Sequence, residues 1–411
     1  ESAKEKNIRH GHISTLHIWW ARRPLASSRA TAYAALIPAT KNKEEYEKKR
    51  RFIIELCKWE NSLNKTLIDK ARKEILEANN GKPPKVLDPF SGGGAIPLEA
   101  LRLGCETYAN DYNPVAVLIE KCTLEYPQKY GKKLVDDVKR WGEWVLEEAK
   151  KELAQFYPND KEEGSKQKRL ADSAEESVAF GYIWARTIKC QNPNCEAEIP
   201  LIRQLWLANK AKRKIALDID NKGREVTFRI KEVNQVKKCE SKCSCKYCSG
   251  TVSRSNAECP ICKSVTNAED TRKQFLEGKS GEHIIAVAIQ SSGNQGKKYR
   301  VAKKEDMDIY NKSENYLTNK LNKLANEWGM NPIPDEPLKR VPVSFGVINV
   351  WFYGIDNWGK LFNSRQKLSL LVLTEKVRSA HEKMIKDKYE PDYAKAITTY
   401  LGMVITKLSV K

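Results

Sequence analysis

A glycine-rich bend and the acid that follows it are the residues of this sequence best suited to chemistry. Residues 85–87 form a short apolar run typical of a buried strand, and Asp88 ends it. Gly92, Gly93 and Gly94 then let the backbone turn tightly and approach a ligand with no Cβ in the way. Asp111 comes next, and an acid about 20 residues past such glycines accepts hydrogen bonds from ribose hydroxyls. The spacing predicts a site for a nucleotide-like ligand.

The segments around the bend predict the first half of a nucleotide-binding α/β unit. Residues 95–103 have the apolar spacing of a helix, with Pro97 in its first turn and Gly104 just past its end. A second strand is predicted over residues 105–110, which places Asp111 at its carboxyl end. Because helix N-terminal amides attract negative groups, the order strand, bend, helix, strand and acid favours ligand binding.

Two common nucleotide-binding motifs fit the bend poorly. A dinucleotide fingerprint is only loosely met, because Pro97 stands where the third glycine belongs. A Walker A loop needs lysine and then serine or threonine after its glycines, whereas Ala95 and Ile96 follow Gly94 here. Neither motif identifies the ligand.

The amino-acid sequence of the bend resembles that of a known cofactor site. D-P-F-S-G-G-G, followed by N-D-Y-N-P, is similar to the S-adenosylmethionine site of DNA amino-methyltransferases. In that family the first string holds the methionine part of the cofactor, and the acid before N-P holds the ribose. The resemblance implies an α/β fold with a Rossmann-like methyltransferase sheet. It implies a cofactor site formed by Asp88, Pro89, Phe90, Ser91, Gly92, Gly93, Gly94, Asp111, Tyr112 and Asn113.

The sequence of the N-terminal segment resembles one particular group of DNA methylases. R-H-G-H-I-S-T-L-H-I-W-W-A-R-R-P-L resembles a group of archaeal and bacterial adenine-specific DNA methylases that contain a zinc ribbon. By that resemblance Trp20, Arg22, Arg23 and Pro24 approach the methionine carboxylate or the target base. The alternative is a tryptophan-rich core element with solvated arginines. A metal site on the histidines of this segment is disfavoured, because no acid or cysteine lies between His10 and Arg23.

Eight cysteines in the middle of the chain predict structural zinc. Pairs of thiolates held on tight turns can complete a tetrahedral sulfur site, and an all-thiolate ion has no open position for catalysis. The pairing stays open, because residues 190 and 195 suit either the 259/262 pair or the 239/243 pair. One or two zinc ions are expected. The predicted ligands are Cys190, Cys195, Cys239, Cys243, Cys245, Cys248, Cys259 and Cys262.

Charge and domain organisation point to a nucleic-acid enzyme. The net charge of +20 favours a polyanionic partner, and paired cysteines favour metal in a reducing cytoplasm. No apolar run is long enough to span a bilayer. We expect residues 1–158 to hold the first half of a methyltransferase domain, residues 176–305 a β-rich zinc-ribbon insertion, and residues 306–411 helices that return to the core. Residues 159–175 read as a linker.

The catalytic loop of the resembled family does not occur in the sequence. That loop has the form [DNS]-P-P-[YFW], and the nearest string, Glu390 to Tyr393, lacks the second proline and opens a helical pattern. We therefore expect an N-terminal portion that carries the cofactor site, and no catalytic residue is assigned. Arg365 and Gln366, in a phrase shared with the family, either face nucleic acid or pack at a helix start.

The sequence thus predicts an S-adenosylmethionine-dependent DNA methyltransferase that acts on an exocyclic amine, with adenine N6 favoured over cytosine N4. An RNA base methyltransferase is one alternative. The other is a zinc-ribbon nucleic-acid-binding protein with a non-catalytic cofactor fold.

Overall fold

The structure is a computed structural model that describes residues 1–8, 11–160, 177–210, 213–233, 246–290, 297–339 and 349–409. The chain forms two compact units, residues 1–150 with 372–411, and residues 151–371. The domain boundaries expected from the sequence stay a prediction.

The helices are α1 Ser2–Lys6, α2 Leu25–Leu36, α3 Lys43–Leu56, α4 Lys65–Ala78, α5 Ala95–Arg102, α6 Pro114–Glu120, α7 Tyr126–Leu153, α8 Ala268–Leu276, α9 Lys304–Trp328, α10 Ser364–Lys386 and α11 Pro391–Leu408. Among the described residues, none of them is long and apolar enough to cross a bilayer.

The first unit contains one βαβ element. Strands β1 Lys85–Asp88 and β2 Glu106–Ala109 are parallel, with Asp88 paired to Ala109, and α5 connects them. This confirms the predicted alternation of strand, bend, helix and strand, and the α/β class. In the described part of the chain this sheet has two strands. A larger Rossmann-like sheet stays a prediction.

Capping side chains fix the starts of several helices in this unit. The side chain of Asn42 accepts the amide of Glu45 at the start of α3, at 2.9 Å. Asn113 accepts the amide of Val115 at 2.9 Å, and Pro114 occupies the first turn of α6, where a missing amide costs little. Helix α6 continues as a π-helical turn over Lys121–Glu125 and then as α7, which is interrupted at Gly131.

A buried ion pair joins the N-terminal helices to the βαβ element. Arg29 of α2 donates to the Glu99 carboxylate of α5 at 2.6 Å, and both side chains are buried. Arg29 also donates to the carbonyl of Leu56, the last residue of α3, at 2.9 Å. At the first residue of α2, one turn before Arg29, the buried Glu5 accepts the amide of Leu25 at 2.7 Å. The segment before the glycine bend is therefore an integral part of this unit.

The second unit is rich in antiparallel strands. Its strands are β3 Asn159–Asp160, β4 Ser177–Lys189, β5 Glu198–Leu201, β6 Trp206–Lys210, β7 Arg213–Lys222, β8 Glu225–Glu232, β9 Val252–Ser253, β10 Asn256–Glu258, β11 Val265–Thr266, β12 Gly281–Gln290 and β13 Lys297–Val301. They pair in the orders β13-β12-β4-β3, with β5 on β4, then β6-β7-β8 and β11-β10-β9. β7 with β8 and β12 with β13 form two antiparallel hairpins.

Burial and hydrogen bonds in the structure show the roles of Arg365, Gln366 and Tyr393, which the sequence left open. Arg365 at the start of α10 is buried, donates to the carbonyl of Phe156 and lies over the ring of Tyr182, so it packs within its unit and does not face nucleic acid. Gln366 and Asn363 exchange hydrogen bonds between side chain and backbone, a helix-start arrangement. Tyr393 is buried in α11, in agreement with the rejection of its string as a catalytic loop.

Candidate functional site

The glycine bend lies between the end of β1 and the start of α5. Gly92 and Gly94 have φ values of 54° and 71°, a region that side chains with a Cβ rarely adopt. The amide of Ser91 donates to the carbonyl of Asn110 at 3.0 Å, which ties the bend to the end of β2. Gly94 closes the turn by donating to the carbonyl of Ser91 at 2.9 Å. The bend thus follows β1 directly in the chain and is hydrogen-bonded to the end of β2.

Asp111 holds the bend from the second strand. One of its carboxylate oxygens accepts the amide of Gly92 at 2.8 Å, and the other accepts the amide of Asn113 at 2.8 Å. A carboxylate oxygen has two lone pairs, so each of these oxygens keeps acceptor capacity for the hydroxyl of a ligand. The structure therefore brings the predicted acid and the predicted glycines into direct contact.

Glu120, at the end of α6, lies beneath the bend and was missed in the sequence. Its buried carboxylate is hydrogen-bonded by the hydroxyl of Ser91, which also lies 3.0 Å from the carbonyl oxygen of Asn110. Burial raises the pKa of Glu120; the Ser91 hydrogen bond opposes this, and the nearby Asp111 and Asp88 add to it. The sequence signal that could have identified Glu120 is its position as an acid at the end of the apolar run 115–119.

Trp19 and Arg22 cover the glycines from the N-terminal segment. A Cβ placed on Gly92 would lie 2.5 Å from Nε1 of Trp19, and one on Gly93 would lie 3.5 Å from Cγ of Arg22. The Nε and Nη2 atoms of Arg22 are buried and have no hydrogen-bond partner within the described residues. Burial lowers the pKa of Arg22. An unpaired, partly desolvated guanidinium beside a glycine bend suits a bound anion.

The other residues named from the sequence are more exposed. Trp20 is 79% exposed and stacks on Trp19, with ring centroids 4.8 Å apart, and Arg23 is also exposed. Phe90 and Tyr112 are 82% and 98% exposed. Asp88 is half-buried, accepts the amide of Phe90 at 3.3 Å and is followed by the exposed Pro89. The segment therefore turns Trp19 toward the glycines and Trp20 away from them.

The N-terminal histidines do not form a metal site in the part of the chain that the structure describes. His12 bonds to the hydroxyl of Ser14 at 2.6 Å, and His17 contacts the carbonyl of Ile18 at 2.9 Å. Arg9 and His10 lie outside the described residues.

Four cysteines of the second unit converge on one point. The sulfur atoms of Cys190, Cys195, Cys259 and Cys262 all lie within 4.8 Å of one another, with 3.6 Å between residues 190 and 262 and 3.8 Å between residues 195 and 259. Glu196 and Lys263, which follow the two pairs, both have positive φ, so the two turns are alike. The Ser264 hydroxyl lies 3.2 Å from Cys190 Sγ and 3.0 Å from Cys262 Sγ.

This cluster selects one of the two pairings considered for the cysteines. Residues 190 and 195 lie with residues 259 and 262. A second site on the other four thiols stays a prediction. Of those four, Cys248 is half-buried, with the indole nitrogen of Trp206 at 3.4 Å from its sulfur. Cys239, Cys243 and Cys245 lie outside the described residues.

Two family models match the chain. Residues 1–56 match a family described as "Protein of unknown function (DUF1156)". Residues 64–235, which include the glycine bend and Asp111, match the family described as "D12 class N6 adenine-specific DNA methyltransferase". No curated protein and no solved structure matches the chain. Over residues 64–235 the chain is thus similar to the adenine-specific DNA methyltransferases, which confirms the resemblance indicated by the motifs of the bend.

Proposed function

We propose that the protein is an S-adenosylmethionine-dependent DNA methyltransferase that acts on a base exocyclic amine, with adenine N6 favoured. The family match over residues 64–235 supports DNA methyl transfer in general. The choice of the amine and of the cofactor rests on the motifs of the bend. The observation that carries the proposal is the contact between the Gly92 amide and the Asp111 carboxylate, because it joins the two halves of the candidate cofactor site.

The residues around the bend fit the proposed cofactor chemically. Gly92, Gly93 and Gly94 allow close approach of a ligand, and Asp111 retains acceptor capacity for ribose hydroxyls. Arg22 offers two buried donors to a carboxylate. When bound, S-adenosylmethionine would supply a methyl group on a positively charged sulfur. We therefore propose that Arg22 holds the methionine carboxylate and Asp111 the ribose, with Asp88, Pro89, Phe90, Ser91, Tyr112 and Asn113 completing the site.

The protein residues named here bind and orient, and none is proposed to transfer protons. Preorganised binding of cofactor and base supplies much of the acceleration in a direct group transfer, since it replaces an encounter of two molecules. Glu120 and Ser91 contribute by fixing the backbone of the bend. A target base must leave the duplex to reach such a site.

We propose that the cysteine cluster holds a structural zinc ion. Tetrahedral coordination at a zinc–sulfur distance of 2.3 Å separates the sulfurs by about 3.8 Å. The pairs at 3.6 and 3.8 Å fit that separation. If the Ser264 hydroxyl donates to a thiolate, it stabilises the charged ligand set. A second ion held by Cys239, Cys243, Cys245 and Cys248 in a zinc-ribbon insertion is part of the same proposal.

The experiment that tests the function measures methyl transfer from tritiated S-adenosylmethionine to three substrates: duplex DNA, single-stranded DNA and tRNA. We expect label in DNA, recovered as N6-methyladenine after nucleoside digestion. Asp111→Ala removes the acid of the cofactor site, and Asp136→Ala, an exposed acid of α7, is the matched control. Label in tRNA alone would identify an RNA methyltransferase. DNA binding with neither cofactor binding nor label would identify a non-catalytic binding protein.

A further inference from the structure

Glu120 touches the glycine bend through a hydroxyl group that has one proton and two acceptors. Its buried side chain packs under the bend, where a Cβ added to Gly94 would lie 3.5 Å from Cγ of Glu120. A π-helical turn begins directly after Glu120, and such turns are frequent at functional sites. We propose that Glu120 is a positioning residue that acts in its protonated form, by donating a hydrogen bond to the Ser91 hydroxyl. The inference rests on the proposed function, because it concerns the regulation of the same cofactor site.

A count of protons around Ser91 favours the protonated form of Glu120. Ser91 Oγ contacts the Glu120 carboxyl group and also lies 3.0 Å from the carbonyl oxygen of Asn110. A hydroxyl can donate only one hydrogen bond, so an ionised Glu120 and the Asn110 carbonyl would compete for the same proton. A protonated Glu120 can instead donate to Ser91 while Ser91 donates to Asn110. Only then are both observed contacts hydrogen bonds.

The bond from Ser91 to Asn110 belongs to the junction between the bend and the end of β2. The Ser91 amide donates to the same Asn110 carbonyl at 3.0 Å. The next residue of each segment makes the neighbouring contact, from the Gly92 amide to the Asp111 carboxylate at 2.8 Å. A ligand in the bend would meet the glycines and Asp111 together, so a looser junction would bind it less tightly. We therefore expect ionisation of Glu120 to weaken cofactor binding.

The surroundings of Glu120 on the side of the bend oppose its ionisation. Burial raises the pKa of Glu120, and the charges of Asp111 and Asp88 raise it further, while the hydrogen bond with Ser91 lowers it. The two aspartates are acids of the candidate cofactor site itself. The proton on Glu120 is therefore linked to the charge of that site.

Glu120 also lines an open cavity of about 580 Å³ beside β2, through which solvent can exchange its proton. The cavity is bordered by α5, which contributes Pro97 and Leu101, and by α6 and the π-helical turn. Lys121 is its cation and pairs with Glu125 at 2.8 Å, and burial raises the pKa of Cys105. The titratable groups that line the cavity with Glu120 are Cys105, Glu106, Lys121 and Glu125. The cavity thus carries a net negative charge, which also favours a protonated Glu120.

The test measures the affinity of the full chain for S-adenosylhomocysteine by calorimetry, from about pH 5 to about pH 9, a range that covers buried glutamates. Glu120→Gln offers an amide N–H to Ser91 at every pH, so its affinity relative to the wild type should rise from equal to about tenfold higher, the effect of one hydrogen bond. Comparison with this variant cancels the titration of the ligand. Glu120→Leu and Ser91→Ala lack the hydrogen bond and should bind weakly at every pH. Glu143→Gln, an exposed acid of α7, should follow the wild type.

A second readout does not depend on the cofactor. Infrared difference spectra between the wild type and Glu120→Gln report the C=O band of the protonated carboxyl group. This band should be lost over the same pH window as the affinity, and it should move to higher frequency in Ser91→Ala, which removes the hydrogen-bond acceptor. The proposal is overturned if Glu120→Gln keeps the pH profile of the wild type, or if Ser91→Ala leaves the band unchanged. A wild type that binds no S-adenosylhomocysteine at any pH would contradict the proposed function, and the band would then decide the hydrogen bond by itself.

Discussion

The carboxylate of Asp111 accepts the backbone amide of Gly92 at 2.8 Å, so the acid that follows the second strand fastens the bend that follows the first. Gly92 follows β1 and Asp111 follows β2, and the parallel pairing of these strands brings their carboxyl ends together. A ligand that contacts the glycines would therefore also meet the acid. The same contact makes the geometry of the bend sensitive to Asp111.

Gly92→Ala should damage the bend through two effects that a control separates. At φ +54° an added Cβ strains the backbone by about 1 kcal/mol, and here it would also lie 2.5 Å from Nε1 of Trp19. Gly81→Ala has the same kind of φ, at +74°, with open space around the Cβ, so it carries only the backbone cost. Thermal unfolding should show the larger loss for Gly92→Ala, and Trp19→Ala in the same chain should relieve part of it. Equal losses for the two glycines would contradict the close packing of Trp19.

Glu120→Gln should remove a dependence of stability on pH. Burial, together with Asp111 and Asp88, raises the pKa of Glu120 above its usual value of 4.5, against the opposing hydrogen bond from Ser91. An acid with a raised pKa binds more protons in the folded than in the unfolded chain, so the free energy of unfolding falls as pH rises from the usual value through the raised one. Glutamine carries no charge and still accepts from Ser91.

The measurement is the melting temperature of both chains across the acidic and neutral range. The advantage of Glu120→Gln should grow as the pH rises through that window and then stay constant. Glu143→Gln, an exposed acid of α7, should follow the wild type throughout. A difference that is the same at every pH would show that Glu120 does not titrate in this range.

Cys259→Ser should remove one bound zinc ion, because the four thiols of its cluster form one ligand set. The metal content, measured by mass spectrometry of the purified chain, should fall by one ion per chain, and the unfolding transition of the second unit should move to lower temperature. Ser264→Ala should keep the ion with an affinity lower by about tenfold or more. Cys57→Ser, outside the cluster, should change neither quantity. Unchanged zinc content in Cys259→Ser would rule out a metal at this cluster.

Arg29→Ala should destabilise the first unit strongly, because it leaves the buried Glu99 carboxylate with Arg102 as its remaining partner. Breaking a buried ion pair from one side costs about 3 kcal/mol or more. Arg50→Ala removes an exposed pair with Glu47 and should cost less than about 1 kcal/mol. Arg29→Met with Glu99→Leu, which replaces both charges, should recover most of the loss. Denaturant unfolding measures all three, and a small effect of Arg29→Ala would mean that the pair does not anchor α2.

Local sequence patterns were enough to predict most of the βαβ element. Glycines, a proline in a first turn and short apolar runs are signals within a few residues, and they place β1, α5 and β2 close to their observed bounds. The contact of Asp111 with Gly92 agrees with the spacing of about 20 residues between the glycines and the acid, because the parallel pairing of β1 with β2 brings both to one edge of the sheet. The turn between β7 and β8 carries a local signal of the same kind, because Gly223 there has φ +63°, which favours glycine.

Contacts between distant segments were harder to anticipate. Nothing near Trp19 distinguishes it from Trp20, and tertiary packing decides that Trp19 faces the glycines. Glu120 lies 29 residues after Ser91, and its position beneath the bend depends on the path of α6. The pairing of Cys190 and Cys195 with Cys259 and Cys262 likewise depends on how β4 and β5 meet the later turns. Sequence spacing leaves such choices open because several folds satisfy it.

The most direct test of the cofactor site is the affinity of the full chain for S-adenosylhomocysteine, measured by calorimetry. We expect the wild type and Asp136→Ala to bind one equivalent with equal affinity. Asp111→Asn should bind more weakly, because it loses the charge, and Asp111→Ala should bind at least tenfold more weakly, because it also loses the acceptors for Gly92 and the ribose. Undiminished binding by a folded Asp111→Ala, or no binding by the wild type, would contradict a cofactor site at the glycine bend.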